Sequence, residues 1–211
     1  IGNDADLGAM SEHLRGVGRD VDDLVYISGE VGVGAGLVVG GVPVAGSTGF
    51  AGEIGHLPFG ERDRPCHCGS SGCWETEVGA AAIAEALGYP QDDIANLGAY
   101  LEDLTSVPEE FAGDLAVVGR RLGVGLAGII NLLHPRTVVL GGNLRSLYPW
   151  VRDAVQAEIA IRALDASRAN VDVCVPGLGE YSVLMGASEL GFEHVLDDPA
   201  AAIAAAQPTS T

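Results

Sequence analysis

Three of the chain's four cysteines fall within eight residues, in the run Cys66-His67-Cys68-Gly69-Ser70-Ser71-Gly72-Cys73. They lie too close together to close long loops as disulfides, and the fourth, Cys174, stands alone in an apolar run. Gly69 and Gly72 permit a backbone knuckle tight enough to aim three thiolates at one centre. His56, ten residues upstream in the same irregular stretch, is the best fourth ligand, because His67 is flanked by two ligands and has to point the other way. Three thiolates and one imidazole fill a tetrahedron and leave no open position, so His56, Cys66, Cys68 and Cys73 form the expected site of one structural Zn2+ ion. The competing reading, three buried free thiols, suits a core strand, which a run this polar and Gly-rich does not resemble.

The rest of the chain is long enough to bury its own core. Its 211 residues are 47% apolar, 19% charged and only 5% aromatic, with 31 glycines, a balance that suits a layered α/β protein with many tight turns, as one domain or two closely packed lobes. The net charge of −18 repels the phosphate backbone of nucleic acids and anionic membranes, so this segment is not expected to bind DNA itself. No stretch approaches the ~20 consecutive apolar residues of a membrane span, and the first residues lack the pattern of a signal peptide. The expected location is the cytoplasm.

Apolar spacing at Leu7, Met10 and Leu14 predicts a short opening helix, and Leu24 to Ile27 predicts a strand. Gly29 to Gly36 reads as a Gly-rich turn, and Leu37 to Val39 with Val42 to Val44 as a hairpin around Gly40-Gly41. Residues 45 to 75 read as a long irregular stretch, of a kind that is functional, disordered or held by a metal. Helical spacing returns from Glu75 to about Leu87 and again through Ile94, Leu97 and Leu101. Pro108 opens the longest predicted helix, with the stripe Phe111, Leu115, Val118, Leu122, Leu126, Ile129 and Leu133, and with Gly119, Gly123, Gly125 and Gly128 allowing close approach. His134-Pro135 ends it. Thr137 to Leu140 reads as a strand, Gly141 to Asn143 as a turn, Val151 to Leu164 as a helix, Val171 to Val175 as a strand and Ser182 to Leu196 as the last helix.

Several polar residues near these motifs carry two readings. Glu53 and Glu75 bracket the cysteine cluster; each is either a solvated carboxylate or a ligand-binding group, and Glu75 also suits the positive end of the helix that follows it. Asn3-Asp4 suits a helix N-cap. The run Gly29-Glu30-Val31-Gly32-Val33-Gly34-Ala35-Gly36 either cradles a phosphate or merely turns the chain.

Together these motifs resemble the ROK family of bacterial sugar kinases and sugar-responsive transcriptional repressors. The most specific part is Ala51-Gly52-Glu53-Ile54-Gly55-His56 followed by Cys66-x-Cys68-Gly69-x-x-Gly72-Cys73-x-Glu75; Asn3-Asp4-Ala5 is similar to the family's sugar motif, and Pro135 through Gly141-Gly142 to its nucleotide-lobe strand and turn. The resemblance implies an α/β, actin-like ATPase (ribonuclease H-like) fold, of which this chain covers mainly the second half with a zinc-braced loop. It implies that Asn3, Asp4, Glu53, His56 and Glu75 hydrogen-bond sugar hydroxyls, with His56 using one ring nitrogen for sugar and the other for zinc. Asp4 is the catalytic base only if the chain belongs to a kinase, which would also need ATP.

Two features favour the repressor branch. Where the kinases carry Gly-Thr-Gly at the phosphate turn, this chain has Glu30-Val31-Gly32, which removes a hydroxyl and sets a carboxylate against a polyanion, a repulsion of roughly 1 kcal/mol or more even in high dielectric. The sequence also opens past the expected position of the family's first phosphate loop. The leading expectation is therefore a sugar-binding module over 1–198 followed by an Ala-rich tail over 199–211. This would be the effector part of a repressor, a homo-oligomer and most simply a dimer, whose helix-turn-helix domain lies upstream and contacts DNA. The alternative is an ATP-dependent sugar kinase of the same family.

Overall fold

A computed structural model describes residues 3–200. Helix α1 (Asp4–Arg15) is followed by an antiparallel meander of β1 (Leu24–Gly29), β2 (Val33–Val39) and β3 (Val42–Pro43). After the long loop come α2 (Glu75–Val78), α3 (Ala80–Ala86), α4 (Leu97–Asp103) and the 25-residue α5 (Glu109–Leu133). The chain then runs through β4 (Thr137–Gly142), α6 (Asn143–Arg162), α7 (Asp165–Arg168), β5 (Asp172–Cys174) and α8 (Ser182–Asp197). The sheet order is β3-β2-β1-β4-β5, with β4 parallel to β1 and β5 parallel to β4.

All six residues of β1 are buried, because the central strand has helices on both faces. Leu24 and Tyr26 pack with Ala9 of α1, Val38 and Val139, whereas Val25 and Ile27 face the larger core under α3, α5 and α6. Helix α5 buries Leu115, Val118, Leu122, Leu126 and Ile129 as its spacing predicts. Gly119 and Gly123 receive Val151 and Val155 of α6, and Gly125 receives the Trp74 ring. By length and composition α5 could cross a membrane, yet its apolar stripe is spent on this core and its outer face carries Asp114 and Arg120. Left-handed His134, at φ 48°, ends it.

The opposite face is closed by α1 against α8. Glu12, fully buried on α1, accepts hydrogen bonds from the amides of Val17 (2.9 Å), Gly177 (3.0 Å) and Leu178 (3.0 Å) and from the Ser182 hydroxyl (2.7 Å). Four donors replace the water this carboxylate loses on burial.

Three expectations need correction. Val33 to Gly36 belong to β2, so the turn is only residues 30–32; Val33 and Ala35 point into the core and the pairing with Ile27 and Gly29 decides their conformation. Helix α6 begins at Asn143, directly at the end of β4, and carries Pro149 within it. The proline removes one helical hydrogen bond, offset by burial of Leu144, Leu147, Tyr148 and Val151. The Glu75–Leu87 helix breaks at Gly79, which has φ −76° and ψ 177°. Residues 201–211 of the expected tail lie outside the described residues.

Candidate functional site

The site starts with two glycines pressed onto β2. Gly52, at φ +90°, accepts a hydrogen bond from the Ala35 amide at 2.8 Å, and a Cβ on it would stand 1.8 Å from the Ala35 oxygen. A Cβ on Gly55 would stand 2.1 Å from the Val33 oxygen. The turn between them buries Ile54 and leaves Glu53 and His56 outside. Downstream, buried Trp74 donates its ring N–H to the Arg121 carbonyl at 2.9 Å and its amide to the Leu57 carbonyl at 2.9 Å. That anchor fixes Cys73 and Glu75 on either side of it.

The four expected metal ligands converge. The Cys66 Sγ lies 3.7 Å from His56 Nδ1, the Cys68 and Cys73 sulfurs are 3.6 Å apart, and all four ligand atoms lie within 4.8 Å of one another. Zinc bonds of about 2.3 Å to sulfur and 2.0 Å to nitrogen give tetrahedral edges of about 3.8 and 3.5 Å, so the four residues fit the ion. The knuckle is held by the Cys66 amide donating to the Ser70 carbonyl (2.8 Å) and the Gly69 amide to the Cys66 carbonyl (3.0 Å). His56 turns Nδ1 to the cysteines and Nε2 to Glu53 Oε2, 3.8 Å away. Glu75 accepts from the Cys66 thiol at 2.9 Å and stands 3.9 Å from His56 Nδ1. The Cys68 amide draws the Cys66 thiol down, but with Glu75 as acceptor it is pushed up overall to about 12.

A brace behind this loop leaves no local signal in the sequence. Buried Glu77 accepts from the Glu61 amide at 3.0 Å and lies 3.7 Å from both Arg64 and Arg121, while Arg64 also donates to the Thr76 carbonyl at 2.9 Å. These residues tie the knuckle to α5. No motif announces them, since they sit apart in sequence.

A row of carboxylates continues along the start of α1. A Cβ on Gly36 would stand 2.2 Å from the Ala5 oxygen, so α1 lies directly on β2. Asn3 caps α1, accepting from the Ala5 amide at 2.8 Å. Asp6, which sequence reading did not single out, is raised above its ordinary value by burial and then by Glu53. Glu30 has its carboxyl raised by burial and then by the charge of Asp4, with Arg145 opposing. Among the described residues no hydrogen bond or ion pair joins Asn3 or Asp4 to Glu53. The structure thus gathers His56, Glu53, Glu75 and the three cysteines, and sets Asn3 and Asp4 on the adjacent helix end.

Glu30 occupies a second place of interest. It lines a cleft of about 250 Å3 with Tyr26, Glu102, Gly142, Asn143 and Arg145, and a Cβ on Gly142 would stand 2.7 Å from its Oε1. Gly142 precedes the first turn of α6, a helix end that favours anions. The chain's own carboxylate stands there, and Arg145 beside it is paired with Glu102.

The sequence model of the ROK family matches residues 1–193. The xylose repressor of Bacillus subtilis (strain 168) is 29% identical over 202 residues, covering 93% of this chain and 51% of the repressor. The DNA-binding transcriptional dual regulator NagC of Escherichia coli (strain K12) is 34% identical over 205 residues, covering 87% of this chain and 48% of NagC. This chain spans about half the length of these curated relatives. The crystal structure of a ROK family transcriptional regulator, a homologue of the E. coli MLC protein, superimposes with a TM-score of 0.74 at 27% identity, over 89% of this chain and 50% of that one. Solved ROK sugar kinases share the fold as well. The fold is therefore the expected α/β, actin-like ATPase architecture.

Proposed function

The chain belongs to the ROK family, and from that premise we propose that it is the effector-binding part of a sugar-responsive transcriptional regulator. The observation that carries this reading is the contrast between two halves of one site: His56, Glu53 and Glu75 converge beside a metal knuckle, while Glu30 fills the anion-favouring end of α6. An ionised Glu30 opposes the phosphates of a nucleotide.

His56, Cys66, Cys68 and Cys73 hold a structural zinc ion, which fixes the imidazole ring. With Nδ1 on the metal, Nε2 keeps its proton and donates to a sugar hydroxyl. Glu53, 3.8 Å away, accepts from the same or the adjacent hydroxyl. Glu75, Asp4 and Asn3 take further hydroxyls. Sugar that binds one arrangement of a homodimer better than another shifts the population toward it, which is all a sugar-responsive switch requires. DNA contact falls to another part of the cytoplasmic full-length protein, since the −18 charge of this segment repels phosphate.

The test uses the full-length protein: thermal shift against a panel of monosaccharides, operator-fragment release by the sugar that stabilises it, and ATP turnover with that sugar. Stabilisation by RT ln(1 + [L]/Kd) and DNA release without phosphotransfer are expected. Turnover near or above about 1 per second would instead establish the sugar-kinase alternative with Asp4 as base.

A further inference from the structure

A cavity of about 580 Å3 opens between the cysteine knuckle, α3 and the turn that precedes α4, and Glu75 forms part of its wall. This volume lies within the range of small-molecule sites, about 300–1,000 Å3. Val31, Ala81 and Ile94 supply apolar surface; His67, Thr76 and Gln91 supply a polar rim. His67 stands outside the cluster of His56 and the three cysteines and lines this cavity, with no hydrogen-bond partner among the described residues. Gln91 commits its amide N–H to the Ala81 carbonyl at 3.1 Å, which leaves its side-chain oxygen as an acceptor. Apolar walls facing C–H groups and a rim of donors and acceptors facing hydroxyls match a pyranose ring. Glu75 lines this cavity and, on the sugar reading, also takes a hydroxyl of the first ring, so it borders both places.

We propose that Glu75 stands between two subsites, and that the effector is a glycoside larger than one sugar ring. One ring is held at Glu53 and His56, and a second ring linked to it lies in the cavity against Val31, Ala81 and Ile94, with His67 and Gln91 on its hydroxyls. This rests on the sugar reading above.

Calorimetric titration of the zinc-loaded full-length protein would compare xylose, glucose and N-acetylglucosamine with their β-1,4-linked disaccharides. At least one disaccharide is expected to bind ten-fold or more tightly than its own monosaccharide. Ala81 is exposed on α3, so Ala81→Trp fills the cavity from its wall; it should abolish that preference while leaving monosaccharide affinity and zinc content unchanged. Val31→Trp, in an exposed turn, serves if Ala81→Trp does not fold. Equal affinities, or a preference that survives the variant, would overturn the second subsite and leave the sugar reading standing. Absence of binding by every sugar would overturn both.

Discussion

The amide of Ala35 donates to the carbonyl of Gly52 at 2.8 Å, and the two backbones lie so close that a Cβ on Gly52 would stand 1.8 Å from the Ala35 oxygen. Gly52 thereby seats the loop bearing Glu53 and His56 on β2. Gly52→Ala adds that clash to a left-handed φ of +90°, which alone costs about 1–2 kcal/mol. Each kcal/mol corresponds to about 2–4 °C in a chain of this size. Thermal unfolding should shift down by several degrees with loss of metal retention; an unchanged melting temperature would show that the loop is not seated this way.

Elemental analysis of the purified protein should find one zinc ion per chain. Cys68→Ser should lose it and unfold at lower temperature, because a structural site contributes folding free energy directly. A metal-free wild type would sink the assignment.

Glu53→Gln keeps its shape and loses a charged acceptor, so sugar affinity should fall by roughly 1.5–3 kcal/mol with zinc retained. His56→Cys can still complete the tetrahedron but has no Nε2 to offer. Titration of the metal-loaded variant should show sugar affinity lost; affinity equal to wild type would mean that His56 serves the metal alone.

Glu12→Ala strips four donors of their acceptor inside the α1–α8 contact. Each buried unsatisfied donor costs about 1–3 kcal/mol before relaxation, so denaturant unfolding should show a loss of at least about 3 kcal/mol. A loss below 1 kcal/mol would mean that water reaches these amides.

Burial and Asp4 raise Glu30, so the folded chain holds this proton to higher pH than the unfolded chain does. Stability from this group therefore falls as the pH rises above its ordinary 4.5. Glu30→Gln should melt level with wild type near about pH 4 and above it toward neutral pH. A constant difference at every pH would dismiss the electrostatic account of the cleft.

Local spacing was enough to find the cysteine knuckle, the α5 stripe and the central strand, because each depends on residues a few positions apart. The cysteines must lie near one another to share an ion, and a helical stripe is fixed by its own period. That Glu53, His56 and Glu75 lie near one another was also legible, since they border the knuckle in sequence. Asp6 and Glu77 were not: Asp6 meets Glu53 only because α1 lies across Gly36, and Glu77 meets Arg64 and Arg121 only because the loop folds onto α5. The Gly-rich stretch misled for the same reason, since Val33 to Gly36 extend only when Ile27 and Gly29 pair with them. Sequence alone thus determined which side chains can bind metal and which faces are apolar. Tertiary structure alone decided which carboxylates meet, which nitrogen of His56 faces the cysteines, and that Glu30 stands at the end of α6, because those contacts join segments whose approach no local pattern encodes.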